Sequence, residues 1–245
     1  MINVKKEVED RVKWIKELLA ESGANGVVFG ASGGKDSVLV GILARMATPN
    51  VTGVIMPCES RRNFGMDRDD ALVVNEKYGI ETLEVDLTPT KLALSAALKD
   101  VVPEQNELAY MNLNPRLRMA TLYNIAQRRN YLVAGTGNRS EIVMGYYTKW
   151  GDGASDFNPI SDLTVREVYQ MLAYLDAPEV IMTKAPSAGL ADDQTDEKEM
   201  GLTYAEIDDY ILNGKATDEV RAKIERRHAA SAHKRTGVRF YIKHD

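Results

Sequence analysis

Cysteine is almost absent from this chain: Cys58 is the only one in 245 residues. That excludes an internal disulfide framework and any cysteine-rich zinc or iron–sulfur site. An excess of positive charge is lacking as well. Lys and Arg total 31 against 36 Asp and Glu, a formal net charge of −5 with His neutral. This argues against a protein held to nucleic acid by bulk charge and leaves only a local basic patch open. No apolar run approaches the roughly 20 residues of a membrane-spanning helix. The opening Met-Ile-Asn-Val-Lys-Lys-Glu-Val-Glu-Asp lacks the apolar core of a signal peptide. The expectation is a cytoplasmic protein with neither nucleic acid nor membrane as partner. Apolar residues are not scarce. At 44% hydrophobic and 27% charged the chain suits a packed core, and its length fits one large domain over residues 1–245.

Val4, Val8, Val12, Ile15 and Leu19 recur at helical spacing and predict a helix over 4–22, closed by Ser22-Gly23-Ala24-Asn25-Gly26. Val27-Val28-Phe29-Gly30 reads as a buried strand running into a glycine-rich turn. Helical spacing resumes at Val38, Ile42, Leu43 and Met46. Further strands are expected over 51–56, 80–85 and 131–135, and further helices over 67–78, 88–99 and 115–129. Thr88-Pro89 suits the start of the second of these, Pro being tolerated in the first turn. Strands alternating with helices predict an α/β fold with a doubly wound parallel sheet. After Gly135 the pattern changes. Residues 136–163 read as loop, and three helices follow without clear strands. Thr164 with Glu167, and Thr203 with Glu206, fit the capping box. Residues 185–201, with Pro186, Gly189, Asp192, Asp193, Asp196, Glu197 and Glu199, predict a loop.

The segment Ser32-Gly33-Gly34-Lys35-Asp36-Ser37 lies between the first strand and its helix. A helix N-terminus presents unpaired N–H groups and the positive end of a dipole, which suits phosphate. Two glycines allow close backbone approach, and two serines add hydroxyl donors. An acid among such groups is costly unless a cation intervenes, so Asp36 suggests Mg²⁺. The spacing excludes a Walker A loop: three residues separate Gly30 from Gly34, and Asp36 stands where Ser or Thr should follow the lysine. It also excludes the Rossmann fingerprint. A plain strand-to-helix turn with Asp-Ser as cap is the alternative.

The six residues resemble the pyrophosphate loop of the N-type ATP pyrophosphatases, with their adenine nucleotide alpha hydrolase-like sheet. Asn114-Pro115-Arg116-Leu117-Arg118-Met119, Gly135-Thr136-Gly137-Asn138-Arg139-Ser140-Glu141, the run Gly145 to Gly153, Asp156 with Asn158-Pro159, Pro186-Ser187-Ala188-Gly189-Leu190 and His233-Lys234-Arg235 follow in order. Together they resemble the ammonia-dependent NAD⁺ synthetase family over nearly the whole chain. The resemblance implies that ATP adenylates the nicotinate carboxylate of deamido-NAD⁺ and that ammonia displaces AMP. Carried over by position, Gly30, Ala31, Ser32, Gly33, Gly34, Lys35, Asp36, Ser37, Thr136 and Ser187 would bind ATP. Asp36 and Glu141 would hold Mg²⁺ and act in catalysis. Arg116, Lys149, Asp156, His233 and Lys234 would bind deamido-NAD⁺, since phosphates and a carboxylate call for Arg and Lys. The lysine that the family often carries after the Asn-Pro segment is Val165 here, leaving Arg166 or another cation to supply the charge.

The resemblance also implies a homodimer, with the apolar face of 115–129 as a candidate interface. Glutamine-dependent relatives carry an amidase domain with a catalytic Cys, for which this chain has no room, so ammonia is the expected nitrogen donor. Simpler roles stay open for single residues: Arg116 as an exposed helix charge, Glu141 as a helix cap, His233 as a surface residue, Cys58 as an ordinary loop thiol. Two other functions compete. A GMP-synthetase-like or tRNA-modifying relative is disfavoured by the charge and the lone cysteine. A non-catalytic nucleotide sensor would not need both Asp36 and Glu141.

Overall fold

The computed structural model describes residues 2–60, 64–184 and 196–242. Helix α1 (Val4–Ser22) opens on Asn3, whose side chain accepts from Lys6 N–H, and closes on Gly23 in the left-handed conformation. It leads into β1 (Gly26–Gly30), α2 (Lys35–Ala47), β2 (Val51–Ile55), α3 (Met66–Tyr78) and β3 (Glu81–Glu84). Next come α4 (Thr88–Leu98), α5 (Glu107–Met111), α6 (Leu113–Arg129) and β4 (Tyr131–Val133). The four strands are parallel in the order β3-β2-β1-β4, with Val27 opposite Val51 on one side and Leu132 on the other.

Parallel sheets are covered on both faces, and the alternation along β1 shows how. Val27 and Phe29 point into a core shared with α1, α2 and α8 (Val165–Tyr174). Val28, between them, points to the opposite face, beside Val54, Val133, Leu87 and Ala126 of the α4–α6 side. The apolar residues of 115–129 that were a candidate interface, among them Leu117, Leu122, Tyr123 and Ile125, pack on this second core.

Beyond β4 two expectations are corrected. The stretch 136–163 is not all loop: it contains α7 (Arg139–Met144), started by Asn138. The helices after 163 outnumber three, because α8 is followed by α9 (Glu179–Thr183), α10 (Asp196–Met200), α11 (Tyr204–Asn213), α12 (Asp218–Ala230) and α13 (Ala232–Arg235). Short breaks conceal these from periodicity. Within 185–201, positions 196–200 form α10 and 185–195 lie outside the described residues. Both capping boxes, at Thr164 and Thr203, are present. Met144, Val165, Ile207 and Ile224 gather in a third apolar cluster, which seats α7 against the C-terminal helices. Gly145 permits the approach: a Cβ there would lie 2.1 Å from that of Ser231.

Candidate active site

The chain winds outward from β1 through β2 to β3, then returns to the other side of β1 as β4. Loops leaving the carboxyl ends of β1 and β4 therefore diverge, and open α/β sheets bind ligands in such a crevice. A cleft of about 1060 Å³ opens there. Its wall includes the loop after β1, the Gly135–Gly137 turn after β4, and parts of α6 and α13.

In the first loop Gly33 has φ +67°, and a Cβ would meet the Asp67 carbonyl at 2.3 Å, so only glycine fits. Gly34 is the N-cap of α2 and brings no side-chain cap to the helix's first N–H groups. Its own N–H donates to Ser32 Oγ at 3.3 Å, and the Ser32 and Ser37 hydroxyls lie 3.0 Å apart. Ser37 Oγ also donates to the Gly34 carbonyl at 2.9 Å, so the loop gathers two hydroxyls and a backbone N–H at the positive end of a 13-residue helix.

Two carboxylates flank that row. Asp36 Oδ2 accepts from Lys35 Nζ at 2.7 Å, and Asp36 Oδ1 accepts from Asn138 Nδ2 at 3.1 Å. Asn138, fully buried, also forms a capping box with Glu141: Asn138 N–H donates to Glu141 Oε2 and Glu141 N–H to Asn138 Oδ1, each at 3.0 Å. One amide side chain thus ties the start of α2 to the start of α7. Glu141 caps its helix, as the simpler reading had it, and also stands within electrostatic reach of Asp36. Burial and then the Asp36 charge push its carboxyl well above the ordinary range, with Lys35 opposing. Burial also works against the Lys35 ammonium, yet Asp36 and Glu141 outweigh it and raise its pKa. The Tyr204 ring sits 5.4 Å from Lys35 Nζ, and its hydroxyl donates to Asp196 at 2.9 Å.

No cluster of three or more His, Cys, Asp or Glu able to hold a metal is present among the described residues. A paired carboxylate set suits Mg²⁺ nonetheless, because that ion is commonly held by one or two carboxylates and completed by substrate phosphates and water.

The remaining expected residues divide. Ala31, Thr136, Arg116, Lys149, His233 and Lys234 reach the cleft wall. Lys149 Nζ donates to the His233 carbonyl, and Lys234 Nζ to the carbonyls of Gly145 and Tyr147, so α13 is pinned beside the cleft. Asp156 is not brought to that wall. Its Oδ2 accepts from Val133 N–H at 2.8 Å and its Oδ1 from Tyr123 at 3.2 Å, extending the edge of β4. Ser187 lies outside the described residues. Arg166 does not replace the missing lysine at the cleft: its Nη2 donates to Asp209 at 2.8 Å, while Val165 is buried in the third cluster. A further cation beside the loop is Lys184, at 2.8 Å from Asp67 and 2.6 Å from Asp70. Sequence reasoning missed Lys184 and Asn138. Asn138 with Glu141 carried a capping signature; Lys184 carried no local signal. Cys58 is more than a loop thiol: it is 1% exposed, donates to Asn114 Oδ1 at 3.4 Å, and burial pushes its pKa up.

A parallel sheet with a Ser-Gly-Gly-Lys-Asp-Ser turn at its switch point, paired carboxylates and a cationic wall suits the chemistry of a nucleotide-activating ligase. The family model described as NAD synthase matches residues 7–238. The NH(3)-dependent NAD(+) synthetase of Carboxydothermus hydrogenoformans is 44% identical over 96% of this chain and 96% of its own. Among solved structures, the NMN synthetase of Francisella tularensis superposes with TM-score 0.93 at 36% identity, covering 98% of this chain and 99% of that one. The NH3-dependent NAD synthetase of Campylobacter jejuni gives 0.79 at 28%, covering 99% and 100%. The chain belongs to the NAD synthase family, and as such it is an ATP-binding ligase of NAD biosynthesis.

Proposed function

We propose that the cleft binds ATP and deamido-NAD⁺ together and joins ammonia to the nicotinate carboxyl through an acyl-adenylate. The observation that carries this is one cleft with a donor loop and the Asp36–Asn138–Glu141 ladder in one part of its wall and Arg116, Lys149, His233 and Lys234 in another. A carboxylate oxygen attacks the α-phosphorus, the Pα–O–Pβ bond breaks, and pyrophosphate leaves. Ammonia attacks the acyl carbon, the bond to AMP breaks, and the nitrogen loses a proton to give the amide. Gly34 N–H and the Ser32 and Ser37 hydroxyls, bonded to one another and to the Gly34 carbonyl in the ligand-free loop, would exchange those partners for the charge that develops on pyrophosphate, where fixed donors act most strongly. Thr136, on the same wall, is assigned to ATP. Arg116 and Lys149 orient the dinucleotide through its phosphates and carboxylate.

Asp36 and Glu141 would hold Mg²⁺. When bound, it supplies charge neutralisation for the leaving pyrophosphate. Asp36 and Glu141 crowd Lys35, and Asp196 acts on Glu141, at this part of the wall, so a polyanion entering alone would be repelled. We assign ammonia itself as the nitrogen source, a homodimer as the working form, residues 1–245 as one catalytic unit, and the cytoplasm as the compartment. No described helix is long and apolar enough to cross a membrane.

The test is turnover with deamido-NAD⁺, ATP, Mg²⁺ and ammonium, expected to yield NAD⁺, AMP and pyrophosphate. ADP and phosphate as products would overturn the mechanism. A second reading has one observation behind it: the closer superposition is on the NMN synthetase, 0.93 against 0.79. Nicotinate mononucleotide presents the same carboxylate, so the assay is run with both substrates, and a larger kcat/KM for the mononucleotide would favour that reading.

A further inference from the structure

Lys184 has no part in the chemistry just described, yet it touches the phosphate loop. A lysine ammonium has three N–H donors, and three acceptors surround this one: Asp67 Oδ1 at 2.8 Å, Asp70 Oδ2 at 2.6 Å and the Gly33 carbonyl at 3.3 Å. Asp67 and Asp70 stand three residues apart near the start of α3, on one helix face, and are 9% and 7% exposed. The helix fixes the carboxylates, and the carboxylates fix the lysine.

The Gly33–Gly34 peptide is trans, so its carbonyl and N–H point in opposite directions in one plane. The carbonyl is turned to Lys184. The N–H is turned to Ser32 Oγ, beside Ser37, on the wall of the cleft. Whatever holds the carbonyl therefore aims the N–H. The left-handed φ of Gly33 makes that hold necessary, since glycine is the residue with the least intrinsic preference for one conformation.

We infer that Lys184, clasped between Asp67 and Asp70, is a positioning residue for ATP: by gripping the Gly33 carbonyl it keeps the Gly34 N–H aimed at the pyrophosphate portion. This rests on the nucleotide reading of the cleft. The charge of Lys184 also offsets two carboxylates close to the polyanion site, Asp67 on the cleft wall and Asp70 behind it. With Val165 where the family often has a lysine, the aim of the fixed donors carries more of the phosphate recognition.

Simple electrostatics and the clasp make opposite statements about Asp70→Asn. Removing a negative charge near a polyanion site should tighten binding, whereas loosening the clasp should weaken it. The measurement is calorimetric titration of the folded, full-length protein with inorganic pyrophosphate and with ATP, Mg²⁺ present, and with deamido-NAD⁺ alone as a control. Both Lys184→Met and Asp70→Asn are expected to weaken pyrophosphate and ATP binding about 10- to 100-fold, the range for a lost partner of a buried polar group. Dinucleotide affinity should stay within about twofold, because no group it meets has lost a partner. Unchanged or tighter pyrophosphate binding by Asp70→Asn overturns the inference, and so does equal weakening for the dinucleotide. Should Lys184→Met fail to fold by circular dichroism, Asp70→Asn still decides the matter. Failure of the unaltered protein to bind either pyrophosphate or ATP would instead sink the nucleotide reading itself.

Discussion

Asp36→Asn keeps the size of the side chain and removes one negative charge, with consequences of opposite sign in the ligand-free protein. Lys35 is 7% exposed and loses a partner at 2.7 Å. Stranding one member of a buried pair costs about 3–5 kcal/mol. Against this, Glu141 is relieved of the Asp36 charge, and its own carboxylate continues to hold Lys35 in the charged form. The asparagine oxygen can still accept from Asn138 Nδ2. The net loss should lie near 1–3 kcal/mol, a fall in Tm of roughly 2–12 °C for a chain of this length. The chemical loss is larger in kind. Removing a preorganised electrostatic group costs about 10²–10³ in rate, and it should appear in deamido-NAD⁺-dependent pyrophosphate release and be partly relieved by raised Mg²⁺. Thermal melts and a pyrophosphate assay at two Mg²⁺ concentrations measure both quantities. A variant melting above the wild type would refute the balance of charges drawn here. Pyrophosphate release within about threefold of wild type at saturating Mg²⁺ would refute the role of Asp36 in adenylation.

Arg116→Ala should weaken deamido-NAD⁺ binding about 10-fold or more while ATP binding stays nearly intact, since a charge-assisted bond is lost only at the dinucleotide; equal effects on both ligands in titration would count against the division of the cleft. Cys58 is sealed behind Asn114 and its thiol titrates above the ordinary range through burial. It should resist thiol reagents near pH 8 until the protein unfolds, Cys58→Ser should keep most activity, and fast labelling with loss of turnover would contradict this. The Glu81 carboxyl is held below its ordinary range by the Arg129 guanidinium and then the Thr52 hydroxyl. Such a group stabilises the fold above its unfolded pKa and loses that effect as pH falls through the depressed value. Glu81→Gln should therefore flatten the decline in stability below about pH 4.5, and an unchanged acid limb in urea titrations would dismiss the coupling.

The central strands were legible because they are buried on both faces, so Val27 to Gly30 and Val51 to Ile55 stand out as short apolar runs between helical periods, whereas β3, nowhere fully buried, showed itself by alternating apolar and acidic residues. The Ser32–Ser37 turn stood out for a related reason: several residues there suit one chemical need. What escaped notice lacks periodicity or is made of contacts distant in sequence. Helix α7 is six residues, under two turns, and only its Asn138–Glu141 cap announces it. Helix α5, of five residues, has no such length either. Lys184 meets Asp67 and Asp70 more than a hundred residues away in sequence, and no local pattern encodes such a meeting. Asp156 shows a bond of the same distant kind: its carboxylate accepts from Val133 N–H, 23 residues away, which its motif did not announce.

The capping box of α7 has a consequence for how the protein breathes. Glu141 serves two masters with one carboxylate: an oxygen closes the helix by accepting from Asn138 N–H, and the same group is assigned to the phosphate-bound cation. Fraying of the first turn of α7 and emptying of the site are then a single local event, because a turn that opens carries Glu141 away from Asp36, and Asn138 with it. Occupancy should be written into the exchange of amide hydrogens that never touch a ligand, those of Asn138 and Glu141. Conversely, any change that stiffens this turn pre-forms the site, so local helix stability becomes a setting on nucleotide affinity that evolution can adjust without altering a single contact to the substrate.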